Sequence, residues 1–312
     1  MTEITPGELV DGGQSATPVV PWNELPEKVQ QRWHFQVTKI ALPPLVSDAQ
    51  AVFEDADEFD PRQLASYVSR DPLLGGKLLA VANSAAMGLT NPVTTFERAI
   101  VTLGYSVVQS IIVAYYLEAT LKLWPAFPRA HFNYVRRTSA ASAVLASAIA
   151  TGARLRSVKL LGTAALLARL GSLVLGLARP WPDHSYRQVP NEVLRVKYEM
   201  EKWGISTPVL SGQLLLHWGI PQPLPQLLER HLEPLFLELE SGPEQHSLLV
   251  LCAATAIGTY FVHTSQFEPF TLFDRYAYDQ LKHNLKQHRL WDAVVDLAGD
   301  KRLKRELAVV TE

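Results

Sequence analysis

The sequence predicts an all-α protein, built as a two-lobe helical bundle, on three observations. Every long apolar segment repeats at the helical period. No alternating strand pattern and no Asn-Gly or Asp-Gly hairpin signal stands at a convincing site. A short polar residue followed by proline, the usual helix-starting device, recurs at Asp60-Pro61, Asp71-Pro72 and Thr207-Pro208. The chain has 312 residues, 47% hydrophobic and 19% charged, enough to bury a substantial core in one large or two medium domains. No internal repeat of fixed period is evident.

Residues 1–20 carry Gly12-Gly13, Pro6 and Pro18 but no aromatic anchor, and read as a tail. Residues 21–123 form the first lobe. Leu25 to Gln36 reads as an amphipathic helix anchored by Trp33, and the acidic cluster Glu54, Asp55, Asp57 and Glu58 as a solvated helix end. Arg62 to Ser69 follows Asp60-Pro61. Asp71 then caps a helix opened by Pro72, with Leu74, Leu78, Val81 and Ala82 at helical spacing and Gly75-Gly76 allowing close packing. Asn83-Ser84 is a polar pair in an apolar run, so both side chains are expected to bond to backbone, with Asn83 largely buried. Thr94 is expected to cap the next helix, with Glu97 at capping-box spacing and Gly104 at its end. Tyr105 to Leu123 is a long apolar helix, closed by the two prolines of Leu123-Trp-Pro-Ala-Phe-Pro-Arg129.

Residues 124–312 form the second lobe. Tyr134 to Ala150 is rich in alanine and serine, which lets helices approach closely. Leu155 to Leu177 reads as one helix buried all round, with Leu166, Leu170, Leu173 and Leu177 on one face. Arg179 to Pro190 is a loop. Helices follow at Glu192–Lys202, Pro208–Trp218, Pro223–His231, Gly242–His263, Asp274–Leu290 and Leu290–Val310, Thr207 being the expected cap of the second of these. The basic cluster Lys301, Arg302, Lys304 and Arg305 reads as a solvated face of the last helix.

Charge and cysteine content narrow the function classes. A net charge of −2 argues against a nucleic-acid footprint, which needs a concentrated basic surplus. Cys252, the single cysteine, lies in an apolar run, so no intramolecular disulfide and no cysteine-rich zinc site can form. The run Gly162–Ala178 is interrupted by Arg169 and falls short of the ~20 apolar residues of a span, so no membrane insertion is expected. Neither a basic start nor an apolar leader opens the chain, and the expected location is the cytoplasm.

The run Asp71-Pro-Leu-Leu, Ala82-Asn-Ser84, Gly88, Ala99-Ile100 and Leu103-Gly104, with Leu42-Pro43-Pro44 upstream, resembles the N-terminal half of the HDOD family, the HD-related output domains of bacterial signalling proteins. Asp71, Pro72, Asn83, Ser84 and Gly104 carry that structural motif. Leu166-Leu-Ala-Arg-Leu-Gly171 resembles the family's Leu-Leu-His-Asp-Ile-Gly section. Ser211 to Pro221, then Leu227 to Pro234, resembles its closing section. The resemblance covers roughly residues 37–260 and implies an HD-like fold for the second lobe.

HD hydrolases hold metal with an early His, a His-Asp pair and a later Asp, because imidazole and carboxylate bind a divalent ion and leave room for an activated water. Here, by that resemblance, the pair is Ala168-Arg169, the early His falls near Arg137, and a later ligand position falls at Pro208. The remaining histidines show no metal-ligand spacing: His283 and His288, five apart, diverge by about 140° around a helix. His231 lies near the expected cleft and reads either as a cleft residue or as a helix-terminal histidine satisfied by backbone. No nucleophile elbow, phosphate-binding loop or dinucleotide fingerprint is present. Flanked by apolar residues, Arg169 must pair with an acidic residue, form with Arg137 a cationic pocket for a phosphate or carboxylate, or reach water. The expectation is a cofactor-free, non-enzymatic regulatory scaffold whose partners are signalling proteins. A sensor of a small anionic ligand, such as a nucleotide, in a degenerate cleft formed by Arg137, Arg169 and His231 stands as the alternative, and a divergent phosphohydrolase as the third reading.

Overall fold

The computed structural model describes residues 19–40, 61–68, 72–84, 87–89, 93–121, 128–177, 186–187, 189, 191–218, 220, 222–240, 242–265, 267, 272–273 and 278–311. Helix is the only regular structure among them, as the periodicity predicts. Asp71, Asp60, the acidic cluster at 54–58 and the tail at 1–18 lie outside the described residues.

The first elements are α1 (Glu27–Val37), α2 (Pro61–Val68), α3 (Pro72–Ala82), α4 (Phe96–Leu103) and α5 (Tyr105–Leu121). In α3, Leu74, Leu78 and Ala82 are fully buried. A Cβ on Gly75 would run into the Phe96 ring, so this glycine lets α3 and α4 pack at close range. The cap of α4 is Thr95 rather than Thr94: its side chain accepts the Arg98 N–H at 3.3 Å. Glu97 therefore sits one position too early for a capping box, but still in the first turn, where its charge favours the helix dipole. Gly104 ends α4 at φ +78°, a conformation only glycine adopts cheaply, and α5 starts at the next residue.

Asn83 is exposed, contrary to expectation, although its bonding is as expected. Oδ1 accepts the Val93 N–H at 2.7 Å, while Nδ2 donates to the carbonyls of Val93 and Leu79 at 2.8 Å each. The amide pairs edge-on with both backbone groups of Val93, which leaves its other side to water. Ser84 departs from the expectation as well, because its Oγ is enclosed without a protein hydrogen-bond partner.

The second half is built on α6 (Arg129–Gly152), with α7 (Val158–Leu167), α8 (Gly171–Leu177), α9 (Glu192–Trp203), α10 (Thr207–His217), α11 (Leu224–Arg230) and α12 (Pro243–Thr264). Then come α13 (Asp279–Gln287), α14 (Trp291–Val295) and α15 (Lys301–Thr311). Helices α5, α7, α12 and α15 all pack on α6. Its small buried residues, Ala141, Ser142, Ala143 and Ala146 among them, allow that crowding, and Gly258 of α12 lies directly against Ser142. The segment expected as one last helix, Leu290–Val310, is instead two helices joined by a 3-10 turn, and Asp300 caps α15 through the Arg302 and Leu303 N–H groups at 2.8 and 3.0 Å. All four basic residues of α15 are solvated.

The Leu155–Leu177 stretch is also broken, at Ala168–Leu170 between α7 and α8. Ser211 stabilises the break: its Oγ donates to the Ala168 carbonyl at 2.7 Å and accepts the Gly171 N–H at 2.8 Å. Gly171 abuts the backbone of Thr207 and Ser211 so closely that no Cβ fits. Leu166, Leu170 and Leu173 are buried and Leu177 half-buried. By length and hydropathy alone Leu160–Leu177 and Glu244–Thr264 could each cross a membrane, yet 83% and 72% of those windows are buried inside the protein.

Residues 19–40 return to the second half. Helix α1 packs on α8 and α10. Trp33, wholly buried, donates Nε1 to the Trp203 carbonyl at 3.2 Å; the Trp22 N–H reaches Glu229 at 2.7 Å, and Trp218 Nε1 reaches the Ile40 carbonyl at 2.9 Å.

Replacing Asn83 by leucine strands the N–H and C=O of Val93, a buried residue. Asn83→Leu is expected to cost about 1–3 kcal/mol in urea melts despite its added hydrophobicity. A neutral or stabilising result would show the clamp to be idle.

Candidate functional site

The break at Ala168–Leu170 turns Arg169 into the protein, where the residue is 3% exposed. A lone buried guanidinium is unsustainable, since removing one charge from water costs several kcal/mol. Glu192, first residue of α9, supplies the counter-charge. Its carboxylate ion-pairs with Arg169 Nη2, and the Thr259 hydroxyl bridges the two, 2.6 Å from Glu192 Oε1. Glu192 Oε2 faces Arg195 Nε at 3.8 Å. The Tyr278 hydroxyl accepts the Glu192 N–H at 2.8 Å.

Arg195 lies between two aromatic faces, its guanidinium carbon 5.0 Å from the ring centres of both Tyr134 and Tyr186. It donates to the Tyr186 carbonyl at 3.2 Å and to that of Val189. The Tyr186 hydroxyl in turn donates to Glu199 at 2.6 Å. Glu199 also accepts the N–H and the hydroxyl of Thr207, both at 2.6 Å. Hence Thr207 is not the cap of α10; Ser206 holds that position, and Thr207 is the first helical residue, tied to α9. On the far side of Tyr186, the His131 ring nitrogen lies 2.6 Å from the Ser172 carbonyl.

Burial opposes the charged forms of Arg169 and Glu192, but each outweighs that cost for the other: the Arg169 pKa is held up by Glu192, and that of Glu192 is held down by Arg169 and Arg195. Burial pushes the Glu199 carboxyl up, against the pull of the three hydrogen bonds it accepts and of Arg195. Burial lowers the pKa of His131 and of His231 to about 4, so both rings are neutral at pH 7.

Of the residues singled out in sequence, the charge of Arg169 reaches His231, and Arg169 and Arg137 both act on His263. His231, at the end of α11, is 3% exposed with Nδ1 2.6 Å from the Leu228 carbonyl, and the charges of Arg169 and Glu192 both act on it. Arg137 is half-buried on α6, and its charge bears on His263. Pro208 is buried in the first turn of α10. Sequence reading missed Glu192, Arg195 and Glu199. Their spacing of i, i+3 and i+7 puts all three on one helix face, an unsolvated-charge signal had that face been matched to its buried neighbour Val196.

The family model for the HDOD domain matches residues 40–234. The chain belongs to the HDOD family. Among solved structures, an HDOD domain protein of unknown function from Geobacter sulfurreducens superposes with a TM-score of 0.59 at 15% identity, covering 90% of this chain and 98% of its own. A candidate phosphohydrolase from Shewanella amazonensis gives 0.59 at 17% identity, covering 90% and 98%. A candidate signal transduction protein from Marinobacter aquaeolei gives 0.55 at 18% identity, covering 87% and 65%. At these identities the likeness is one of fold. No curated protein matches the chain.

Membership makes the HD metal position a question of donor chemistry. Ala168 offers a methyl group and Arg169 a cation, and the nearest carboxylate, Glu192, is already engaged by two guanidinium groups. Among the described residues no three His, Cys, Asp or Glu side chains gather as a ligand set. The residues present do not fit a divalent ion.

Arg169→Met leaves Glu192 buried with the Thr259 hydroxyl and, as counter-charge, the longer Arg195 contact, and is expected to cost about 3–5 kcal/mol of stability in chemical denaturation. A loss below about 1 kcal/mol, the range of exposed pairs, would mean that Arg169 is not held as described.

The buried histidines give a pH signature. Folded His131 and His231 refuse protons that the unfolded chain binds from pH 6.5 down to about 4. Stability present above pH 6.5 should therefore fall with pH across that window, by about 1.4 kcal/mol per pH unit for each histidine. Urea midpoints between pH 7 and 4.5, with imidazole titrations by NMR, check this; both rings titrating near 6.5 would contradict it.

Proposed function

We propose that this HDOD protein is a non-enzymatic regulatory component of a signalling system, acting in the cytoplasm by binding signalling proteins. The observation that supports this most directly is the Arg169–Glu192 ion pair, which sits where the family resemblance places the His-Asp metal pair. A metal-activated hydroxide requires a bound ion to bring the pKa of its water to about 7. A guanidinium at that point repels the ion, and its paired carboxylate is unavailable as a ligand. The phosphohydrolase reading is therefore disfavoured. The anion-sensor reading is weakened, because one of its two cations, Arg169, is paired with Glu192.

Purified full-length protein is expected to carry no stoichiometric Mg²⁺, Mn²⁺ or Fe²⁺ by elemental analysis, and to hydrolyse no phosphodiester, cyclic dinucleotides included, with any of them added. Ala168→His with Arg169→Asp should not restore turnover, since the Arg137 and Pro208 positions still lack ligands. Near-stoichiometric metal together with turnover abolished by His231→Ala would overturn the proposal. Affinity capture from the source cells, read by mass spectrometry, should yield signalling proteins as stable partners.

A further inference from the structure

Three polar atoms that the network around Arg169 leaves unused gather along the seam of α6 and α12. Gly258 of α12 lies against Ser142 of α6, and further along the same antiparallel seam the rings of Tyr134 and His263 meet, their centres 5.7 Å apart. Arg137 follows Tyr134 by one helical turn, so it shares that face of α6, and its charge acts on His263. Tyr134 Oη, Arg137 Nε and His263 Nε2 are all enclosed, and none has a hydrogen-bond partner in the protein. Tyr134 is 7% exposed, whereas Arg137 and His263 are half-buried, so the cluster has a closed base and a rim that touches solvent.

Enclosed polar atoms in native proteins are nearly always satisfied by protein, ordered water or ligand. The charges around this cluster select among those. Arg169 is paired with Glu192, and Arg195 faces the same carboxylate while donating to two carbonyls. Arg137 is different: it makes no ion pair and no hydrogen bond with any described residue. Three cations, Arg195, Arg169 and Arg137, act on His263 against the carboxylate of Glu192. Burial, with Arg195 and Arg169, brings the pKa of that ring down to about 4, so at pH 7 it is neutral and Nε2 is free to carry a proton. The C-terminal dipole of α12 opposes an anion here with about half a charge, less than the full charge of Arg137.

We propose that Tyr134, Arg137 and His263 form a binding site for a small oxyanion, a phosphate or carboxylate group. Its oxygens accept the Tyr134 hydroxyl at the base of the cluster and the Arg137 Nε–H and His263 Nε2–H at the rim. Water would satisfy the hydroxyl but leave the guanidinium charge without a counter-charge. A metal ion would meet that charge head on. An apolar molecule would leave all three polar atoms unmet. The site uses neither Arg169 nor His231, and it stands or falls independently of the scaffold reading above.

The probes are inorganic phosphate and acetate, titrated separately into the full chain at pH 7, with sodium chloride holding the ionic strength constant so that general screening does not change. NMR should show saturable shifts of the His263 ring and the Arg137 Nε–H, while the exposed ring of His283, paired with Glu238 elsewhere, stays in place. The tighter of the two anions identifies the head group, and either order supports the site. Arg137→Gln should weaken binding about tenfold or more by removing the charged donor. Tyr134→Phe keeps the ring against His263 and Arg195 but removes the hydroxyl, and should weaken binding about tenfold. Without anion it should melt no lower than the parent, since an enclosed hydroxyl without a partner contributes nothing to stability. Circular dichroism establishes that each variant is folded, and either variant alone decides the matter if the other does not fold. Absence of saturable shifts, equal shifts at His283, or unchanged affinity in a folded variant would each overturn the proposal.

Discussion

A guanidinium sealed from water beside a single carboxylate sets the terms on which the second half of this chain can pack. Arg169 reaches Glu192 only because the chain breaks between α7 and α8, and Ser211 stabilises that break through both of the backbone groups it frees. Glu192 is available only because α9 begins there, and Thr259 brings α12 to the same point. One ion pair thus fixes four helices relative to one another. Buried charges tolerate little slack, since an unpaired one costs several kcal/mol. Their value here lies in geometry more than in net stability, because apolar residues of similar volume could supply the latter.

From that pair the polar network runs outward through Arg195, Tyr186 and Glu199 to Thr207. Two arginines and two glutamates balance in formal charge. The interior of the second half is closed around this network.

Helix periodicity carried most of the fold, because apolar spacing reports directly on which face meets the core. Trp33, Leu74 and Leu78 are buried as their positions indicate. What periodicity could not show was where helices stop. The break at Ala168–Leu170 depends on Ser211, more than forty residues away, and Thr95 displaces Thr94 as a cap through a difference of one residue. The candidate site was legible by half. Arg169 stood out as a charge in an apolar run, but its partner sits on a helix whose other residues read as amphipathic. Asn83 shows the reverse error: polarity in an apolar run suggested burial, whereas a side chain can grip backbone from the solvent side.

The attachment of residues 19–40 to the second half bears on how the chain is made. Trp22, Trp33 and Ile40 find their hydrogen-bonding partners at Glu229, Trp203 and Trp218, which follow them by 207, 170 and 178 residues. At ribosomal speeds of about 5–20 residues per second, those partners emerge roughly 10–40 s later. During that interval the indole of Trp33 and the apolar face of α1 have no native surface to cover them. Helix α1 is therefore covered long after it is made, and the nascent protein carries a sticky segment until α10 and α11 have emerged.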